Sequence, residues 1–217
     1  MKKILSYFWP LKSRFHSKFS GWLEITWLNG KKLLNSKNTN YSYGSLQKVL
    51  RYGLSEVKFR PDDKVLLLGM GGGSIIKVLR EEYKHKGQIA AVEIDPVVIE
   101  VAEKEFGIRA LKDLKIIHAD ALSYVQNTNE SFKLIIIDLF IDKNVPEECF
   151  SVDFWEKISK LSEPKAQIIF NAGMDLTSDQ KIREIISKQE RHFDFILLEN
   201  VMGRNTLLLA LKKMVNV

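Results

Sequence analysis

Residues 65–74 read VLLLGMGGGS, and residues 90–96 read AAVEIDP. An apolar run that stops in glycines, then a helical stretch, then a second apolar run ending in an acid is the order of a nucleotide-binding βαβ unit. Glycine lets the backbone turn tightly and approach a ligand with no Cβ in the way, and the following helix offers its N-terminal N–H groups. Glu93 falls where a ribose diol needs a hydrogen-bond acceptor. Gly69, Gly71, Gly72 and Gly73 are therefore candidate ligand-binding positions together with Glu93.

Outward from this unit, apolar runs and helical periodicities alternate. Helices are expected over 45–57, 74–82, 96–106, 121–126, 152–161 and 178–192, and strands over 65–68, 89–94, 115–117, 134–137, 167–170, 193–198 and 205–211. Alternating β and α units predict a parallel sheet covered by helices on both faces. The last two strands are joined only by residues 203–204, too few for a parallel crossover, so the final strand must run antiparallel to its predecessor. Upstream, residues 22–27, Asn29-Gly30 and 31–34 read as a β-hairpin, since Asn-Gly supplies both φ > 0 residues of a type I′ turn.

The strand ends carry further chemistry. Asp120-Ala121 can accept from an adenine amino group and leave room for its ring, and Asp120 also suits the N-cap of the helix that follows. Asp138, at the end of the fourth core strand, is placed to act as a general base or to hold a cationic substrate. Asp142, Glu147, Glu148 and Asp153 follow closely. His16, His85, His118 and His192 are scattered without metal spacing, so no metal is expected. Trp22, Trp27 and Trp155 are expected in the core.

The chain has 217 residues, one cysteine (Cys149) and a net charge of +6. Residues 1–51 hold ten Lys/Arg and one acid, a net +9, while the remainder holds 23 Lys/Arg against 26 acids, a net −3. The basicity belongs to the N-terminal segment and is compatible with RNA, an anionic lipid surface through Phe8, Trp9 and Phe15, or a solvated arm. The opening resembles a signal peptide only briefly, because Pro10, Lys12, Arg14 and Lys18 interrupt its apolar residues. No run reaches the ~18–20 apolar residues of a membrane span. A lone cysteine suits a reducing cytoplasm. The expected organisation is a basic segment with a hairpin over 1–44 and a nucleoside-binding domain over 45–217.

These motifs together resemble a known family. VLLLGMGGGS, AAVEIDPVVIEVAEKEFG, IIHADALSYV, and LIIIDLF followed by VPEECFSVDFWEKISKLSEPKAQIIFNAG are similar to spermidine-synthase-like proteins, polyamine aminopropyltransferases within the class I AdoMet-dependent methyltransferase superfamily. The resemblance runs from about residue 22 to 173. It implies a Rossmann-like α/β fold with a mostly parallel seven-stranded sheet, an antiparallel C-terminal strand and a small N-terminal hairpin. It also implies that the Gly69–Gly73 loop cradles the nucleoside, Glu93 binds the ribose, and Asp120 with Ala121 meets the adenine. Asp138 matches the strand-end carboxylate that deprotonates the attacking amine, with Asp142 and Tyr43 as candidates near the acceptor.

The implied donor is S-adenosylmethionine or its decarboxylated form, and the implied acceptor is an amine or other small molecule. The family also implies a first loop reading Gly-Gly-Asp-Gly, an Asp-Ser-Ser-Asp segment and a Tyr-His-Glu segment. This chain reads Gly-Gly-Gly-Ser, Asp-Leu-Phe-Ile-Asp and Tyr-Gly-Ser there. Aminopropyl and methyl transfer therefore both stay open, as do methylation of a small molecule or RNA and a non-catalytic nucleoside-binding or scaffold role. A cytoplasmic location is expected, a homodimer is admitted, and nucleic acid is a less favoured partner.

Overall fold

The computed structural model describes residues 2–36, 40–42, 45–141, 144–174, 178–203 and 205–214. Tyr43 and Asp142, named above for their chemistry, lie outside the described residues.

A short helix α1 (Lys2–Leu5) precedes four antiparallel strands, β1 (Leu11–Ser17), β2 (Gly21–Leu28), β3 (Lys31–Ser36) and β4 (Asn40–Ser42), which pair in chain order. The expected hairpin is β2–β3. Asn29 and Gly30 turn it with φ of 48° and 72°, as a type I′ turn requires. Two further strands extend it into a meander. In β1 only Leu11, Phe15 and Ser17 turn inward among charged and polar neighbours, too sparse an alternation to mark a strand in advance.

The main body follows as α2 (Ser45–Ser55), β5 (Val65–Leu68), α3 (Ser74–Glu81), β6 (Ile89–Glu93), α4 (Pro96–Phe106), β7 (Leu114–His118), α5 (Ala121–Asn127), β8 (Phe132–Ile137), α6 (Val152–Leu161), β9 (Ser162–Gly173), α7 (Ser178–Gln189), β10 (Phe193–Val201) and β11 (Asn205–Lys212). The sheet order is β10-β11-β9-β8-β5-β6-β7. Strand β11 inserts between β10 and β9, antiparallel to both, while the remaining pairs are parallel.

All four residues of β5 are buried, because the sheet is covered on both sides. Leu66 and Leu68 face a core built with α5, α6 and α7 around Trp155. Val65 and Leu67 face the other core, built with α2 and α3. Alternate side chains of one strand thus serve opposite cores. A third cluster joins Leu23, Ile25 and Leu34 of the meander to Val98, Val101 and Phe106 of α4, so the N-terminal sheet rests on the helix that follows Glu93. Of the three tryptophans expected in the core, Trp155 is fully buried and Trp27 packs at the edge of that third cluster, but Trp22 is 62% exposed. Trp22 sits next to the β1–β2 turn, where its ring meets that of His16 in a T-shaped contact.

Candidate functional site

Chain order reverses beside β5, since β6 lies on one side of it and β8 on the other. Open α/β sheets bind ligands at such a point, outside the carboxyl ends of the strands. A cavity of about 380 Å³ opens there, within the usual size range of small-molecule sites. Gly69, Met70, Gly71, Glu93, Asp120, Ala121 and Asp138 all border it.

The glycine loop is tied to both flanking strands. Gly69 and Met70 each donate an N–H to the Val92 carbonyl, at 3.1 and 3.0 Å. Gly69 has φ 87°, and a Cβ on it would lie 2.2 Å from the Asp138 carbonyl oxygen. Only glycine lets β5 and β8 close to this distance at the site. Gly73, with φ 78°, precedes α3, and a Cβ there would strike Ile108 at 2.6 Å. Gly72 and Gly73 do not border the cavity, so of the four glycines Gly69 and Gly71 form its wall and Gly73 shapes the turn behind them.

Gly71 donates its N–H to Oε2 of Glu93 at 2.9 Å, and Asp95 donates its own to Oε1 at 3.1 Å. Burial pushes the Glu93 carboxyl above its usual range, and these backbone donors oppose that shift. Both carboxylate oxygens are thus held by backbone donors at the cavity wall. Asp120 caps α5 through Ser123 N–H at 2.8 Å and also borders the cavity.

Asp138 ends β8 and is half-buried at the wall between Gly69 and Leu139. Desolvation raises its pKa to about 7, against the opposing effect of a hydrogen bond from Asn171. Asn171 is fully buried in β9. Its Nδ2 donates to Asp138 Oδ1 at 2.9 Å, and its Oδ1 accepts from Gly173 N–H at 3.2 Å and Asn205 Nδ2 at 3.1 Å. Those two donors fix which way the amide points.

Of the acids following Asp138, Glu148 reaches the cavity, whereas Glu147 pairs with Lys181 on the surface and Asp153 is exposed in α6. Among the described residues, the charged side chains bordering the cavity are Glu93, Asp120, Asp138 and Glu148, all acidic. Cys149 is buried and its thiol is pushed up to about 12 by desolvation, so it is a poor nucleophile. Among the described residues no cluster of three or more His, Cys, Asp or Glu forms a metal site.

Two cavity residues carried no sequence signal. Phe19 and Ser20, in the β1–β2 turn, border it from the N-terminal sheet. They are brought there by Asp95, whose Oδ1 caps α4 through Val97 and Val98 N–H while its Oδ2 accepts from the Ser17 and Ser20 hydroxyls. The acid two residues after Glu93 thus locks the meander onto the rim of the site.

Residues 55–201 match the spermine/spermidine synthase domain. The chain belongs to that family. The matched segment includes the glycine loop, Glu93, Asp120, Asp138 and Asn171, and leaves out the N-terminal meander. A polyamine aminopropyltransferase of Thermoplasma acidophilum is 31% identical over 153 residues, covering 68% of this chain and 54% of that protein. An eEF1A lysine and N-terminal methyltransferase homolog of Drosophila melanogaster is 28% identical over 116 residues, covering 49% of this chain and 17% of that protein.

This chain spans about half the length of the curated aminopropyltransferases it matches first. Among solved structures, a probable spermidine synthase from Corynebacterium glutamicum superposes with a TM-score of 0.64 at 15% identity, over 94% of this chain and 77% of that one. Human methyltransferase-like protein 13 in complex with SAH gives 0.63 at 21% identity, over 80% and 84%. These likenesses establish the fold, that of the class I AdoMet-dependent methyltransferases, shared by the spermine/spermidine synthase family.

Proposed function

We propose that the cavity binds an adenosyl-sulfonium donor and that the protein transfers an alkyl group from it to an amine, with Asp138 as the general base. The observation that carries this reading is Asp138 itself: a carboxylate with a pKa near 7, in a cavity whose other charged side chains among the described residues are also acids. A cationic donor and an amine both gain from such a lining, and a base serves best when its pKa lies near the working pH.

In the proposed step the amine nitrogen attacks the carbon beside the sulfonium. The N–C bond forms, the C–S bond breaks with its electron pair going to sulfur, and the donor leaves as a neutral thioether. Asp138 takes the proton the nitrogen sheds. Holding the cationic donor and the amine together against carboxylates contributes much of the rate. Glu93 would accept from the ribose hydroxyls, Asp120 from the adenine amino group, and Ala121 would leave space for the ring. The Gly71 N–H donates to Glu93 rather than toward a ligand, which suits a nucleoside better than a dinucleotide diphosphate.

The family relationship supports aminopropyl transfer, while the first loop lacks the acid expected for a decarboxylated donor; the donor panel decides between the two groups. Thermal shift with AdoMet, decarboxylated AdoMet, methylthioadenosine and NAD, followed by detection of S-adenosylhomocysteine or methylthioadenosine during turnover with putrescine, tests this. A donor at a hundred times its Kd stabilises by about 2.7 kcal/mol, or roughly 5–10 °C for a chain of this size. Methylthioadenosine production means aminopropyl transfer and S-adenosylhomocysteine means methyl transfer. A shift with NAD alone overturns the proposal.

A further inference from the structure

The N-terminal turn presents a second surface, away from the cavity. Ile4, Leu5, Tyr7, Phe8 and Trp9 are all exposed, Phe8 and Trp9 by 83% and 74%. Five large apolar side chains within six residues is far more than scattered surface apolarity accounts for. The segment is nonetheless fixed. Tyr7, Phe8 and Trp9 donate their N–H groups back to Ile4 and Leu5. Ser6 is buried; its hydroxyl donates to the Lys3 carbonyl at 2.7 Å and accepts from Gly30 N–H, and its carbonyl accepts from Asn29 N–H. The segment is pinned to the β2–β3 turn with its apolar side chains facing outward, and Leu28 from that turn is exposed beside them. Phe15, read from the sequence as part of the same surface, is instead half-buried against the meander core.

Around this tip the charge is positive. Lys3 and Lys31 are exposed with no acidic partner among the described residues, and Lys12 is held by Glu24. Amphipathic aromatic tips flanked by lysines suit the interface of an anionic bilayer, where tryptophan and tyrosine rings settle at headgroup depth. Two weak signals, a shallow apolar wedge and a basic rim, combine there into useful binding. A second copy fits less well, because a two-fold contact on this patch would set Lys3 and Lys31 against their own counterparts. Nucleic acid fits less well too, since Ile4 and Leu5 have no π-face for a base.

We propose that residues 3–9 with Lys31 form a peripheral docking surface for membranes rich in anionic phospholipid. The inference does not depend on the reaction proposed above. Flotation with vesicles of phosphatidylcholine alone and with 30% phosphatidylserine tests it directly. The protein is expected to float only with anionic vesicles and to be released by raising salt from 0.05 to 0.5 M.

Phe8→Ser with Trp9→Ser should abolish flotation, and Lys3→Glu or Lys31→Glu should lower partitioning about fivefold or more each. Because these side chains are exposed, all variants should keep the wild-type melting point and the wild-type shift with donor nucleosides. Flotation that is indifferent to lipid charge or unaltered by the Phe8/Trp9 variant overturns the proposal. So does light scattering that shows a dimer dissolved by that variant, or RNA binding lost with it in place of lipid binding.

Discussion

Asn171 Nδ2 donates to Asp138 Oδ1 at 2.9 Å, and the Asn171 carbonyl oxygen is itself clamped by Gly173 and Asn205. Strands β9 and β11 thus orient the carboxylate that ends β8. The bond favours the charged carboxylate, while burial disfavours it and wins, leaving the pKa at about 7. As a base, Asp138 works only when deprotonated, so kcat/KM should rise with pH through about 7. Asn171→Ala removes the opposing donor and should move that limb about one unit alkaline, a hydrogen bond to a charged group being worth about 1.5–3 kcal/mol. Activity well above the shifted limb should recover toward wild type. A uniform loss at every pH would mean that Asn171 serves only packing.

The same shift has a stability consequence. A carboxyl whose folded pKa is raised contributes stability that is complete below its unfolded pKa, near 4, and is lost as pH rises through about 7. Asp138→Asn removes that loss. The variant should match wild type near pH 4 and exceed it by about 1–3 kcal/mol at pH 8, less than the full shift at ~1.4 kcal/mol per unit because the site is partly open to solvent. Urea unfolding at the two pH values checks this, and equal differences at both would contradict it. Turnover of this variant should fall by at least a hundredfold while donor binding persists.

Asp120 caps α5 and is also assigned to the adenine, and two substitutions separate these roles. Serine keeps an N-cap acceptor, so Asp120→Ser should change stability by less than about 0.5 kcal/mol, whereas Asp120→Ala should cost about 1 kcal/mol. Both should weaken donor binding, measured by calorimetry. If only the alanine variant binds weakly, the effect comes through the helix and not through contact with the base.

Gly69→Ala would place its Cβ against the Asp138 carbonyl at a backbone φ of 87°. The substitution should cost about 2 kcal/mol or more in stability and disable donor binding, because β5 and β8 must part to admit the methyl. Gly107 caps α4 at φ 69° with open space around it. Gly107→Ala should cost only the smaller backbone strain of about 1 kcal/mol and leave binding intact. Thermal melts with and without donor compare the two.

The core of this fold was legible because hydrophobic period and glycine placement agree at every step from Val65 to Leu161. Strand β9 proved longer than the expected 167–170: it spans Ser162–Gly173 and takes in Pro164 and Lys165. Glu93, Asp120 and Asp138, named from the sequence because such sheets bind ligands at their strand ends, all border the cavity. Asn171, Phe19 and Ser20 were not named, since their roles depend on contacts across strands and between sheets that no local pattern records. Asp95 drew no reading from the sequence, and its grip on Ser17 and Ser20, 78 and 75 residues away, depends on the packing of two sheets.

The claim on which the rest depends is that Glu93, held by Gly71 and Asp95, receives the ribose of an adenosyl-sulfur ligand. Isothermal titration of the protein with AdoMet, decarboxylated AdoMet and methylthioadenosine, repeated on Glu93→Ala, measures it most directly. At least one ligand should bind with a dissociation constant of about 100 μM or tighter, near −5.5 kcal/mol. The variant should lose at least about thirtyfold, on the order of 2 kcal/mol for a hydrogen-bonded charged group. Absence of heat with all three ligands, or unchanged affinity in the variant, would contradict the account.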